Sequence, residues 1–224
     1  MLALGLGLTL SGPLSAQAVD EDQLGGWYIL QWRNAFENSQ WGIQGDIQHR
    51  NFDVSEDKEQ LLIRAGVTRD VGKYRFALGY AFVDSGAFGP SNRSRHESRI
   101  YQELFFATPL GDRLQFSHRF RFEQRWLENQ DFRTRLRYGL FLNVPLTFEA
   151  QTTNTYLSFY NELFLNVGRD IGQGRRVDYF DRNRLYAGIG QKVSDNVNLQ
   201  FGYMLQTTDN LDKGQLNFNL IATF

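Results

Sequence analysis

From Trp27 to the carboxy terminus, apolar and polar residues alternate with a period of two, and almost no stretch carries the 3.6-residue recurrence of an amphipathic helix. The clearest case runs from Leu114 to Trp126. Leu114, Phe116, Phe120, Phe122 and Trp126 fall on one side of a strand, and Arg119, Arg121, Glu123 and Arg125 fall on the other. After the polar connection Glu128-Asn129-Gln130-Asp131, the pattern repeats: Leu136, Tyr138, Leu140 and Leu142 oppose Arg133, Arg135 and Arg137. Read in this way, the chain predicts strands near 27–36, 41–50, 59–69, 73–83, 97–108, 113–127, 131–144, 154–167, 182–193, 196–207 and 214–224. No linker, repeat or low-complexity tract divides them, so residues 19–224 read as one all-β domain.

Many of these strands reach roughly ten residues, the length at which a tilted strand crosses a bilayer. A membrane barrel turns its apolar side to lipid and its polar side to the lumen, whereas a soluble barrel such as a lipocalin inverts this. The arginine density favours the membrane form, because a soluble barrel would have to house all the Phe, Tyr and Trp in one interior. In the last strand Leu216, Phe218, Leu220, Ala222 and Phe224 alternate with Asn217, Asn219 and Thr223. A strand closing on a terminal Phe is the kind of signal that barrel-assembly machinery reads. The expectation is an antiparallel transmembrane β-barrel with short periplasmic turns at Asp70-Val71-Gly72, Pro109 to Asp112 and Ser194-Asp195-Asn196. Longer extracellular loops are expected at 51–58, 84–96, 128–130, 168–181 and 208–213, with Phe224 in the periplasm. Bacterial barrels with both ends in the periplasm have an even strand number. Eleven predicted strands therefore point to ten or twelve, with twelve preferred.

The amino terminus fits export. Leu2 to Leu10 is a short apolar stretch, Gly12-Pro13 break it, and Ala16-Gln17-Ala18 has the small residues of a cleavage site, so residues 1–18 read as a signal peptide, although no basic residue precedes the apolar run. The aromatic content of 15% beside a mean hydropathy of -0.44 requires apolar and polar residues to be finely mixed. With a net charge of -1, the chain gives no bulk attraction to nucleic acid, and with no cysteine it has neither disulfides nor thiolate metal sites. The predicted location is the outer membrane of a Gram-negative bacterium, and the predicted partners are outer-membrane lipid, lipopolysaccharide and the assembly machinery.

Candidate chemistry lies on the inward face. Arg64, Glu103, Arg119, Arg121, Glu123, Arg125, Arg133, Arg135, Arg137 and Glu162 form a predicted ladder of lumen charge, with Asp46, Arg50, Arg75 and Arg184 on the same side. One reading is a set of cross-strand ion pairs filling a closed, structural barrel. Another is a narrow pore for small anionic solutes, because arginines outnumber acids. An enzyme acting on membrane lipid is a third, and a soluble periplasmic binding barrel a fourth.

Catalysis has little to draw on, and no catalytic residue, metal or cofactor is predicted. Ser117 and His118 are neighbours on a strand and point to opposite faces, which excludes a nucleophile-base pair. His49 and His118 fall on the apolar side. His96 reads as part of a loop cluster with Arg93, Arg95 and Arg99, able to meet lipopolysaccharide phosphates. Asp178, Asp181 and Asn183 supply loop oxygens for a possible calcium site but lack the glycine and closing glutamate of an EF-hand. Gly172 and Gly174 lack the Lys-Ser/Thr of a phosphate loop. Asn92-Arg93-Ser94 matches a glycosylation acceptor only by chance.

Three stretches carry a family likeness. They are Arg119 to Trp126 followed by Phe132 to Tyr138, then Asn161 to Asn166, then Phe180 to Gly188 with Gly202-Tyr203-Met204. The sequence resembles the uncharacterised bacterial barrel family catalogued as domain of unknown function 2490. The resemblance implies an outer-membrane barrel and brings no activity or catalytic residues.

Overall fold

The computed structural model describes residues 23–90, 93–111, 114–146 and 154–224. The signal peptide expected at 1–18 lies outside the described residues. Eleven strands follow one another: β1 (Gly25–Ala35), β2 (Trp41–Asn51), β3 (Lys58–Val71), β4 (Tyr74–Gly86), β5 (Ser94–Leu110), β6 (Leu114–Leu127), β7 (Arg133–Pro145), β8 (Thr155–Asn166), β9 (Phe180–Lys192), β10 (Val197–Thr207) and β11 (Asp212–Thr223). They close into a single barrel in chain order. Each of the eleven strands predicted from alternation has its counterpart, displaced by a few residues at most.

The count lies within the expected ten to twelve, but it is odd, and that corrects the preference for twelve. Consecutive strands pair antiparallel. With an odd number the first and last must run the same way, so β1 pairs with β11 in parallel, from Gly25 opposite Gln215 to Arg33 opposite Thr223. β1 therefore begins at the barrel end that carries the connection 167–179, while β11 finishes at the opposite end. The connections 52–57, 87–93, 128–132 and 208–211 share the first end, and 36–40, 72–73, 111–113, 146–154 and 193–196 share the second. The expected loop at 84–96 shrinks to 87–93 because β4 and β5 are longer than alternation alone suggested. The connection 146–154 is the exception to short turns at its end.

Local sequence explains the tight corners. Val71 pairs with Tyr74, leaving Gly72-Lys73 as a two-residue turn, and Gly72 has φ of 58°, a conformation that glycine adopts without steric cost. A different glycine requirement holds Tyr101. A Cβ at Gly79 would lie 2.3 Å from the Tyr101 ring, so the bare strand β4 lets this aromatic lie flat against the lumen wall.

The two faces differ sharply. Leu30, Ile47, Val67, Leu78, Phe120, Leu185, Phe201 and Leu220 are exposed on the outside, Leu78 by 59%. Inside, the buried residues are mostly charged or amide side chains; Trp27, Tyr186 and Met204 form an apolar cluster with Ile29 and Tyr160 against them, and Leu62, Val83, Tyr101 and Phe164 are buried as well. The period of two thus sorts the sequence into an apolar jacket and a polar filling.

Candidate functional site

Register brings the lumen charges together. Across β5 and β6, Glu103 stands opposite Arg121 and Arg99 opposite Arg125; across β6 and β7, Glu123 stands opposite Arg135 while Arg121 faces Arg137. Like charges directly opposite each other destabilise a sheet. Here each of the two arginines turns to a carboxylate. Arg121 binds Glu103, and Arg137 donates to Glu123 at 2.8 Å and to Glu162 at 2.7 Å.

The remaining predicted residues join the same network. Arg135 donates to Glu123 at 2.6 Å, Arg119 to Glu162 at 2.6 Å, and Arg64 grips Asp46 with two bonds of 2.7 and 2.9 Å. Arg125 donates to Glu97 at 3.0 Å. Arg133 faces the lumen as well, yet among the described residues it makes no hydrogen bond and has no carboxylate within 4 Å. All ten predicted ladder residues therefore line the interior, and nine are tied to one another or to neighbours. Charge-assisted bonds of this kind offset the heavy desolvation of the ions that make them.

Sequence reasoning missed several members. Arg99 was expected in a loop cluster with His96, but β5 starts at Ser94 and turns Arg99 inward, where it binds Glu97 at 2.7 and 2.9 Å. Extending the parity of Glu103 back through Tyr101 to Arg99 and Glu97 would have found both. Asp181 was grouped with Asp178 and Asn183 as loop oxygens, with no metal predicted. Instead it begins β9 and accepts from Arg135 at 2.8 Å and Arg182 at 3.0 Å, while Asn183 pairs with Asn161 on β8, so the proposed ligands do not converge.

Aromatic residues also stand inside, where Trp27, Tyr101 and Phe164 are buried among the charges. Arg50 lies 3.8 Å above the Trp27 ring, Arg184 sits 4.6 Å from Trp27 and 4.7 Å from Phe164, and Arg137 is 4.4 Å from Phe164. Stacking a guanidinium on an aromatic face satisfies its charge without a carboxylate.

These stacked arginines divide the lumen. A cavity of about 390 Å³ opens toward the end where β11 finishes, and one of about 200 Å³ opens toward the end where β1 begins. Arg50, Arg64, Arg137 and Arg184 line both, so they form a belt between the two.

The histidines lie elsewhere. His49 and His118 are on the outer face, where His118 is hydrogen-bonded to the hydroxyls of Thr108 at 3.0 Å and Tyr138 at 2.9 Å and stacks on Phe106. His96 packs on Phe82, with Asp84 at 3.5 Å. None of the three faces the lumen.

The family model described as "Protein of unknown function (DUF2490)" matches residues 24–217. The chain belongs to this family. An uncharacterized protein of Methylorubrum extorquens is 31% identical over 201 residues, covering 86% of this chain and 81% of the relative. No solved structure matches the chain. The DUF2490 match includes β1 to β5, where the sequence resemblance rested on pattern alone, and so takes in Trp27, Arg50, Arg64, Glu97 and Arg99. In this DUF2490 barrel the three stretches that carried the likeness supply β6 to β9, the source of most of the lumen arginines.

Proposed function

We propose that the protein is an integral outer-membrane β-barrel, non-enzymatic, whose lumen is held closed by an ion-paired and arginine-stacked belt. The observation that carries this reading is the inversion of the barrel, with leucine, isoleucine and phenylalanine outside and some ten arginines inside. Exposed in water, such a jacket would forgo about 25 cal/mol for every Å² of apolar surface left unburied. In lipid that surface is solvated. The strands, 11 to 17 residues long, meet or exceed the roughly 9 to 11 needed to cross a bilayer, and closure leaves no unpaired edge in the apolar region. A lipocalin-like binding function gains no support, since the interior is filled by charge. A lipid-modifying enzyme gains none either, with every imidazole turned away from the lumen and no serine bonded to one among the described residues.

In this reading β11 ends in the periplasm, where Phe224 meets the assembly machinery, and the 167–179 connection faces lipopolysaccharide at the surface. Membrane fractionation tests the assignment: the protein is expected in the outer-membrane fraction, with gel mobility that shifts on heating. Recovery in the soluble periplasm would refute it.

The excess of arginine over carboxylate favours a second reading, a narrow anion pore that opens when the belt rearranges. Planar bilayers separate the two. The closed barrel is silent, and Arg137→Ala opens discrete, anion-selective conductance; steady conductance of the unaltered protein would establish the pore.

A further inference from the structure

The cavity on the β1-start side of the belt differs from ordinary lumen filling in its charge and in one side chain. Ten arginines line its roughly 200 Å³, together with a single carboxylate, Glu97. That volume is roughly fifteen times the ~10–15 Å³ that one water needs. The arginines that have carboxylate partners share Asp46, Glu97, Glu123, Glu162 and Asp181. Arg50, Arg95, Arg133 and Arg184 have none within 4 Å, and of these Arg95 is exposed at the rim. Arg50 and Arg184 are held by glutamines and aromatic rings, Arg50 by Gln60 at 2.7 Å and Arg184 by Gln206 at 2.9 Å. Arg133 has neither. It is 8% exposed, lines the cavity, and its Nε has no protein partner. A buried N–H left without a hydrogen bond carries a cost that an anion bound across the guanidinium would remove.

We propose that this cavity is a binding site for a soluble phosphate-type oxyanion, with Arg133 as its principal ligand and Arg125 and Arg95 beside it. Three features select that chemistry. The planar fork of arginine matches phosphoryl oxygens in bidentate geometry. Several guanidiniums converge on one small volume, which suits a compact ion of more than one negative charge better than a single carboxylate. The rim residues Ser85, Arg95 and Leu127 stand at the strand ends next to the connections 87–93 and 128–132, so entry is from the aqueous side and not through the barrel wall. The site rests on the lumen geometry and deepens the proposed function by giving the closed barrel a ligand.

The test is calorimetric titration of the folded protein in detergent with inorganic phosphate, at constant ionic strength set by sodium chloride. Saturable binding is expected, weakened at least tenfold in Arg133→Gln, tightened in Glu97→Gln, and unchanged in Arg176→Gln, an exposed arginine of the 167–179 connection. Heat-modifiable mobility establishes that each variant is folded. Phosphate binding that survives both Arg133→Gln and Arg125→Gln, or no phosphate binding by the folded protein, would overturn the proposal. Binding of a short-chain phosphatidic acid with none of inorganic phosphate would overturn it too, by pointing to lipid as the source. Fractionation decides the membrane assignment independently, so a soluble protein that binds phosphate and a membrane protein that does not are distinct failures.

Discussion

The lumen wall from β5 to β8 is built from Glu97, Arg99, Glu103, Arg121, Glu123, Arg125, Arg135, Arg137 and Glu162, whereas the wall around the β1·β11 seam carries Trp27, Met204, Gln215 and Asn217, all buried and none charged. The contrast follows the residues that register brings face to face. Across β5 to β7 carboxylates and guanidiniums meet and lock strand to strand. Across the parallel closure, whose backbone bonds are slanted and slightly weaker, Trp27 faces Asn217 and Ile29 faces Asn219. Neutral side chains fill that seam, with Lys213 buried near the start of β11. The two walls are joined where Arg50 and Arg184 lean on Trp27, so the charged wall ends on the aromatic that closes the barrel.

If ion pairing holds the charged wall, its most connected carboxylate should matter most. Glu123 is 1% exposed and accepts from both Arg135 and Arg137. Replacing Glu123 with Gln keeps the shape but takes away the carboxylate that two buried cations share, leaving Arg135 with Asp181 and Arg137 with Glu162, and is expected to cost about 3 kcal/mol. Urea unfolding in detergent, followed by loss of heat-modifiable mobility, measures this. A cost under about 1 kcal/mol would mean that water, and not Glu123, satisfies those arginines.

The charged wall was largely legible in the sequence because strict alternation over β6 and β7 places Arg119 to Arg125 and Arg133 to Arg137 on one side. Partners from farther along the chain were less so. Asp181 meets Arg135 only because β9 begins beside the end of β8, where the pairing shifts register between Phe164 and Leu165, and no periodic rule anticipates such an irregularity. The seam was not legible at all. Trp27 has inward parity, but an aromatic residue in a membrane-type strand reads as lipid-facing by composition. The parallel β1·β11 pair contradicts the even-number habit used to count strands. Pattern finds what repeats along one strand, and closure is a property of the whole ring.

The seam itself can be probed with smaller changes. Trp27→Leu keeps apolar volume near Met204 but removes the ring that Arg50 and Arg184 stack on. Desolvated cation-π contacts are worth about 2 kcal/mol, so a loss of that order is expected in the same unfolding assay. A loss near zero would uncouple the two walls. On the antiparallel side, Gly79→Ala would press a methyl group against Tyr101 and the Ala65 carbonyl, at 2.3 and 2.7 Å. Such overpacking is expected to cost about 1–2 kcal/mol.

The smallest effect should come from an ion pair that resembles those of the lumen in chemistry and differs only in surroundings. Arg176 forms an ion pair with Asp170 at 3.0 Å beside the bridge within the 167–179 connection, and both side chains are mostly exposed. The Glu123 pairs have similar lengths but are buried, Glu123 at 1% exposure. Exposed pairs contribute about 0–1 kcal/mol, so Asp170→Asn should leave the unfolding midpoint within error, and added salt should not change that outcome. Should Asp170→Asn destabilise as strongly as Glu123→Gln, burial would not be what separates the lumen charges from the rest, and the arginine belt would lose its claim to hold the barrel shut.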